Sequence, residues 1–220
     1  MQIYAFLFDF DNPDGKKYVF LRCNQQPSII MQSTQTILSH AVHTLHNGGT
    51  LLYPTDTIWG IGCDACNAEA VEKIYQIKQR DHSKSMLVLC RREWLTSLDP
   101  ELLTLLDAPR PTTVILNLGV LDSLPPLAGN LPAADGTIGV RVPRHALCQQ
   151  LLATLGHPLV STSANRSGQP SPASYDDIDP SLFRLIDCCL PNRAEWESGN
   201  HQSSRIVKLL ADGTLSTLRD

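Results

Sequence analysis

Three short polar clusters follow apolar runs of the chain, and their side chains could bind anionic substrates. The clusters are Pro54–Thr57, Lys78–Arg80 together with Ser83 and Lys84, and Ser161–Asn165. Lys78 provides a point charge and Arg80 a planar fork, and this pair of groups neutralises and orients neighbouring phosphates well. The hydroxyls and the amide of the third cluster suit hydrogen bonds to phosphate oxygens or to an amino-acid substrate. Together the clusters predict an anion-binding site at the ends of strands.

Each cluster taken alone also has a structural interpretation. A Lys-x-Arg pair at a helix end is commonly a solvated cap that interacts favourably with the helix dipole. A Ser-Ala-Asn sequence is commonly a turn. Both interpretations stay open for the single clusters, and the specificity of the functional interpretation lies in their order and co-occurrence.

Cysteines and histidines provide a second set of candidate ligands. Cys63 and Cys66 form one CxxC motif, for which zinc or redox chemistry would need a second ligand pair or a thioredoxin-like context. The adjacent Cys188 and Cys189 match neither requirement. Three further residues share one face of a predicted helix without an acidic residue at a fitting offset, namely His40, His43 and His46. We therefore predict that no metal is held by protein side chains alone.

Composition indicates one compact globular domain. The 220 residues are 42% hydrophobic and 18% charged, which is enough for one substantial core and excludes extended disorder. The formal net charge of -4 disfavours a protein whose whole surface binds nucleic acid. An odd number of cysteines, seven, predicts reduced thiols and a cytoplasmic location. The apolar run at 3–10 contains Asp9 and has no basic residues before it, so we expect neither a signal peptide nor a membrane span.

Helical and strand patterns alternate along the chain and predict an α/β protein with a mixed sheet. Helices are predicted over 32–47, 68–78, 100–106 and 146–155, with a helix start at Ser171–Ser174. Strands are predicted over 50–53, 86–90, 113–118, 137–142, 158–162, 205–210 and 214–218. A loop is predicted over 122–136. Residues 3–22 predict a β-hairpin around the turn at Asn12–Gly15, so that 1–220 form a single domain with 1–30 as an N-terminal hairpin extension.

The motifs occur in the order of a known family. Tyr53–Thr57 leads to Gly60–Gly62, and Lys78–Arg80, Arg141–Pro143 and Ser163–Asn165 follow. This order resembles the YrdC-like threonylcarbamoyl-AMP synthases in their single-domain form, from about residue 34 to about residue 210. The resemblance implies a twisted, open, mixed β-sheet flanked by helices around a basic cavity. It also implies that the C-terminal domain of longer family members is missing here.

The activity that the resemblance implies is that of a nucleotidyltransferase, an L-threonylcarbamoyladenylate synthase. Such an enzyme condenses L-threonine, bicarbonate and ATP, with Mg²⁺ on the ATP, for the threonylcarbamoyladenosine modification of tRNA by a downstream threonylcarbamoyl-transferase machinery. The resemblance places threonine on Thr55, Thr137, Arg141 and Ser161. It places the nucleotide on Lys78, Arg80, Ser163, Asn165 and Arg205, with Lys78 and Arg80 as the catalytic residues.

Two positions depart from the family pattern. Arg110 stands where relatives have glycine in a Pro-Gly-Pro-x-Thr motif, and Arg205 replaces the third residue of a Ser-Thr-Ile-like strand. Two alternative functions remain at this point. One is a module that binds double-stranded RNA through a basic concave surface, and the other is a paralogue of the same fold with an altered nucleotide substrate.

Overall fold

The structure is a computed structural model, and it describes residues 6–7, 19–20, 33–82, 86–196 and 202–220. Two short strands, β1 (Phe6–Leu7) and β2 (Val19–Phe20), pair in antiparallel fashion. The turn that we predicted between them, Asn12–Gly15, lies outside the described residues. Ser83 and Lys84 of the second polar cluster do so as well.

Four α-helices occur in the described part of the chain, and all four had been predicted. They are α1 (Thr34–His46), α2 (Ala68–Lys78), α3 (Pro100–Leu106) and α4 (Ala146–Leu155). Side-chain caps fix where they begin, because the Ser33 and Asn67 side chains accept hydrogen bonds from the first turns of α1 and α2. Gly156 ends α4 in the left-handed conformation that glycine adopts without strain.

Nine strands form one mixed, open sheet in the order β11-β10-β6-β7-β5-β8-β4-β3-β9. The strands are β3 (Leu51–Tyr53), β4 (Gly60–Gly62), β5 (Leu87–Leu89), β6 (Thr112–Asn117), β7 (Thr137–Arg141), β8 (Leu159–Ser163), β9 (Cys188–Cys189), β10 (Arg205–Leu209) and β11 (Leu215–Arg219). The pairs β10·β6, β5·β7 and β3·β9 are parallel, and the other five pairs are antiparallel. The predicted α/β class with a mixed sheet is confirmed.

Helices cover both faces of this sheet. Along β3, the side chains of Leu51 and Tyr53 pack with α1 and α4, whereas Leu52 between them packs with α2 and α3. Strand residues alternate between faces with period two, so each buried strand contributes to both apolar clusters. The helices leave part of the α1–α4 face uncovered, and the cavity described below occupies it.

One prediction for a single segment fails, and two short strands had not been predicted. Gly60–Gly62 forms the strand β4, which we had not predicted because two of its three residues are glycine. Cys188–Cys189 forms the short strand β9 beside β3. No helix begins at Ser171–Ser174. Instead, the backbone N–H and the hydroxyl of Ser174 both donate to the Asp177 carboxylate, which folds this segment into a turn.

None of the helices in the described residues combines the length and the apolar character that crossing a membrane would require.

Candidate active site

A cavity of about 460 Å³ opens on the α1–α4 face of the sheet. Period-two alternation builds its floor. On β8, Leu159 packs in the core beneath α1 and α4, whereas Ser161 and Ser163, further along the same face, line the cavity. On β7, Thr137, Gly139 and Arg141 line it, with Ile138 and Val140 buried on the opposite face. The volume lies within the range of sites for small-molecule ligands.

Arg141 organises the turn that follows β3. Its Nη1 donates to the Thr57 hydroxyl at 2.9 Å and its Nη2 to the Asp56 carboxylate at 2.9 Å. The side chain is 5% exposed, and its Nε has no hydrogen-bond partner within the described part of the chain. The Thr55 hydroxyl donates to Ile58 O at 2.7 Å. Arg141 and the Thr55–Thr57 turn therefore form one preorganised wall, with a buried N–H donor still available to a ligand.

The cavity is strongly cationic. Its described lining residues include four cations, which are Arg80, Arg141, Lys208 and Arg219. Asp135 is the one carboxylate among them, and the ammonium of Lys208 contacts it at 2.8 Å. Hydrogen bonds from Lys208 and Thr137 lower the pKa of Asp135 to about 2, so it stays ionised. The Asp56 carboxylate pairs with Arg141 in the same way. The four lining cations therefore face two carboxylates, Asp135 and Asp56, and a bound anion would reduce the repulsion among the cations.

Arg219 forms the far wall of the cavity. Its Nε and Nη2 donate to Ser204 O at 2.9 and 2.7 Å, and the Ser204 hydroxyl bonds that of Thr113 at 2.8 Å. Burial lowers the pKa of Arg219, and the charge of Arg141 acts in the same direction. The guanidinium groups of Arg141 and Arg219 both line the cavity and are close enough for their positive charges to repel each other.

The end of α2 separates Lys78 from Arg80. Gln79 adopts the left-handed conformation (φ 50°), which ends the helix and allows the N–H of Arg80 to bond Tyr75 O at 3.0 Å. Arg80 then lines the cavity, whereas Lys78 is 1% exposed. The Lys78 ammonium donates to Ser163 O at 2.6 Å, to Asn165 O and to Asn165 Oδ1 at 3.0 Å. These three acceptors use its three N–H groups.

A comparison with models of known protein families shows to which family the chain belongs. The Sua5/YciO/YrdC family model, whose description is "Telomere recombination", matches residues 43–220. This chain belongs to the Sua5/YciO/YrdC family. The resemblance seen in the motifs is thereby confirmed.

Relatives of this Sua5/YciO/YrdC protein include named enzymes and solved structures. A threonylcarbamoyl-AMP synthase of Stenotrophomonas maltophilia is 35% identical over an alignment of 156 residues, and the match covers 68% of this chain and 83% of that protein. Escherichia coli YciO shares the fold with a TM-score of 0.64 at 24% identity, covering 86% of this chain and 91% of that one. Sua5 of P. abyssi, in complex with L-threonine, has a TM-score of 0.64 at 25% identity. The match covers 83% of this chain and 53% of that Sua5 chain.

The structure of this family member brings most of the predicted site residues to one cavity. Six of them line it, which are Thr55, Arg80, Thr137, Arg141, Ser161 and Ser163. Lys78 and Asn165 lie directly behind this wall, where the Asn165 carboxamide oxygen accepts hydrogen bonds from both Lys78 and Ser163. A phosphate contact from Lys78 would require its ammonium to leave one of its present acceptors.

Arg205 is not among the residues that line the cavity. Its guanidinium lies 3.6 Å from the Asp220 carboxylate, which also pairs with Arg110 at 2.9 Å. Both departures from the family pattern therefore converge on one exposed ion-pair cluster near the end of β11. Arg219, on the neighbouring strand, lines the cavity instead.

Sequence reasoning missed seven lining residues that carry charge or hydroxyl groups. They are Thr113, Asp135, Ser171, Ser203, Ser204, Lys208 and Arg219. A usable signal existed for Thr113, because it alternates with the buried Val114 on a predicted strand. Lys208 and Arg219 required knowledge of the parallel pairing of β10 with β6, which connects segments about 90 residues apart.

The buried Lys78 gives a prediction for pH. Burial, followed by the charge of Arg80, lowers the pKa of Lys78 from 10.5 to about 7. Between these two values Lys78 holds more protons in the unfolded chain than in the folded chain, so its contribution to the free energy of unfolding should rise with pH. Buried cysteines with a raised pKa act in the opposite direction at high pH, so the comparison between variants isolates Lys78. We expect the slope of the free energy of unfolding against pH to be smaller in Lys78→Met than in wild type and Lys73→Met, as measured by urea denaturation from pH 7 to 10.5. Equal slopes for all three proteins would contradict the lowered pKa.

Proposed function

We propose that the chain is an L-threonylcarbamoyladenylate synthase, which converts ATP, L-threonine and bicarbonate into threonylcarbamoyl-AMP and pyrophosphate. Its curated relatives carry the name threonylcarbamoyl-AMP synthase, including one that this chain covers over 83% of its length. The observation that carries the proposal is the excess of positive charge at the cavity. Four cations line it, Arg80, Arg141, Lys208 and Arg219, and only two carboxylates of the described residues, Asp135 and Asp56, form ion pairs with them. A polyphosphate is the kind of substrate that such a cavity binds.

Threonine would occupy the end of the cavity formed by Arg141 and the Thr55–Thr57 turn. The buried Nε of Arg141 lacks a partner within the described residues and suits a carboxylate oxygen. The hydroxyls of Thr55 and Ser161 lie along the same wall and suit the polar groups of an amino acid. The P. abyssi Sua5 relative was solved with L-threonine, which supports assigning this substrate here.

ATP phosphates would lie between Arg80 and the opposite wall with Lys208 and Arg219. The threonine amine takes up carbon dioxide from bicarbonate, and the amine proton leaves with the remaining hydroxide as water, which gives a carbamate. A carbamate oxygen then attacks the α-phosphorus, and the bond from the α-phosphorus to the bridging oxygen breaks as pyrophosphate leaves. This reaction needs no covalent enzyme intermediate, so positioned cations and an aligned nucleophile are sufficient.

Magnesium fits this cavity as a companion of ATP. Mg²⁺ is usually bound by one or two carboxylates together with phosphate oxygens and waters. Asp135 is the one carboxylate among the described lining residues, and its oxygens already bond Lys208 and Thr137. Asp135 would hold the ion beside the phosphates by giving up its bond to Lys208, whose ammonium would then pair with the phosphates. A bound Mg²⁺ would neutralise part of the negative charge of the phosphates.

The cellular context belongs to the same proposal. The product would serve the modification of tRNA, with transfer by a separate threonylcarbamoyl-transferase machinery. A cytoplasmic location agrees with the cysteine usage, because no disulfide forms among the six described cysteines.

Pyrophosphate release from ATP tests the proposal. We expect release to require both L-threonine and bicarbonate, and to fall about 10-fold to 100-fold in Arg80→Ala, since a cation beside the developing charge is lost. Arg184→Ala is the matched control, because Arg184 is exposed on a 3₁₀ helix and does not line the cavity. Release that ignores threonine, or equal rates in the Arg80 and Arg184 variants, would refute the assignment.

A further inference from the structure

A second cluster of chemically reactive side chains lies outside the cavity. Ligand atoms of Asp64, Cys66 and His157 all lie within 4.8 Å of one another. The Asp64 carboxylate is 2.8 Å from Nδ1 of His157, and its other oxygen accepts the Cys66 backbone N–H at 2.9 Å. None of the three lines the cavity. The cluster therefore needs an explanation apart from the synthase reaction.

Long-range pairing creates this cluster. Asp64 and Cys66 follow β4, and His157 precedes β8, so 93 residues separate the Asp64 and His157 side chains that meet. A β-bridge between Asp64 and Leu159 and the hydrogen bond from Ala65 N to Pro158 O, at 3.0 Å, hold the two segments together. Because the backbone fixes both segments, the ligands are preorganised.

His46 extends the cluster to four potential ligands. Its ring lies edge-on to that of His157, with centroids 6.4 Å apart. The residue is exposed at the last turn of α1, so its side chain can change rotamer without disturbing the core. The CxxC cysteine and the helix histidine were two separate weak signals in the sequence, and the fold brings them to one place.

We propose that Asp64, Cys66 and His157 form a Zn²⁺-class metal site, which His46 can complete. Imidazole nitrogen, thiolate sulfur and carboxylate oxygen are the ligands that Zn²⁺ takes in proteins, at about 2.0 to 2.3 Å from the metal. At a tetrahedral angle these bonds place ligand atoms about 3.3 to 3.7 Å apart, so only small side-chain shifts are required. Without a metal the Cys66 thiol keeps its proton, because burial and the neighbouring Asp64 raise its pKa to about 12. Binding of the ion would release this proton to solvent, and the ion would neutralise the charges of the resulting thiolate and of the carboxylate.

Access and burial suit such a site. The Asp64 side chain is 8% exposed and forms the floor, whereas that of His157 is 40% exposed and faces solvent. An ion can therefore enter from one side while protein excludes water from the other. When Nδ1 of His157 binds the metal, it gives up its hydrogen bond to Asp64, and both groups become ligands. The ion would join the start of α2 to the start of β8.

Metal titration of the full chain tests the site. The protein is treated with a chelator and titrated with Zn²⁺ by calorimetry and with Co²⁺ by absorption spectroscopy, which detects a thiolate ligand as a charge-transfer band. We expect one ion per chain, with affinity reduced at least about 100-fold in Cys66→Ser and in His157→Asn, and about tenfold in His46→Asn. The charge-transfer band should disappear in Cys66→Ser.

Two control variants test whether zinc binding depends on the proposed ligands in particular. Cys189→Ser changes a half-buried cysteine on β9, and His43→Asn changes a second exposed histidine of α1; both should bind Zn²⁺ as wild type does. Binding that is equally strong in Cys66→Ser, or no saturable binding by wild type, would overturn the proposal. Pyrophosphate release should continue in zinc-free protein that is assayed with Mg²⁺ and ATP, so failure of the zinc site and failure of the synthase assignment are distinguishable.

Discussion

Replacing Arg141 by alanine is expected to lower kcat/KM for threonine in pyrophosphate release by about 10² to 10³-fold. The side chain holds Thr57 and Asp56 by two hydrogen bonds of 2.9 Å, it lines the cavity, and its buried Nε has no hydrogen-bond partner within the described residues. Its loss would remove both a substrate contact and the support of the wall that includes Thr55. Steady-state rates at saturating ATP, with threonine varied, measure the effect.

The same substitution should also destabilise the fold. Removal of one partner from a buried ion pair typically costs about 3 to 5 kcal/mol, because Asp56 would keep its charge without a counterion. Arg141→Lys keeps the charge but cannot reach Thr57 and Asp56 with two parallel bonds, so we expect an intermediate loss of activity with less unfolding. Thermal denaturation of each variant shows which fraction is folded. A folded Arg141→Ala enzyme with kcat/KM within about threefold of wild type would contradict this role.

Local patterns predicted the fold well wherever burial is periodic. The helix Ala68–Lys78 was predicted with its observed bounds, because Val71, Ile74 and Tyr75 recur on one apolar face, which the structure buries. The strand containing Arg141 was also predicted to within one residue. Both elements owe their structure to contacts that repeat every few residues, and such contacts are visible in a single sequence.

Other features depend on distant parts of the chain. The spacing of Lys78 and Arg80 predicted both cations near a helix end. Because Gln79 adopts the left-handed conformation, Lys78 points into the protein interior whereas Arg80 lines the cavity. Arg219 gave no signal, because its position in the cavity follows from the pairing of β11 with β10 and of β10 with β6. Sequence spacing identified the chemistry of the site, whereas strand order decided which residues meet.

Gly62→Ala is expected to destabilise the protein by at least about 3 kcal/mol, since overpacking of a fixed core typically costs 1 to 3 kcal/mol and more where backbone must move. A Cβ at Gly62 would lie 2.0 Å from Val160 O and 3.1 Å from a ring carbon of Tyr53. Val160 belongs to β8, which also carries Ser161 and Ser163 in the cavity floor. Relief of the clash would require β4 and β8 to separate, so we expect lower activity in whatever fraction still folds.

Gly129→Ala provides the matched control for this prediction. Gly129 is exposed, and a Cβ there would meet nothing within 4 Å, so the change should stay within about 0.5 kcal/mol of wild type. Urea denaturation of wild type and both variants gives the free energies of unfolding. The dependence of each free energy on urea concentration, the m-value, shows whether the three unfolding transitions expose similar surface areas. If Gly62→Ala unfolded at the same urea concentration as Gly129→Ala, β4 and β8 would have to be less tightly packed than the structure shows. A large difference would establish that close approach of these two strands, which only glycine permits at position 62, holds the floor of the cavity in place.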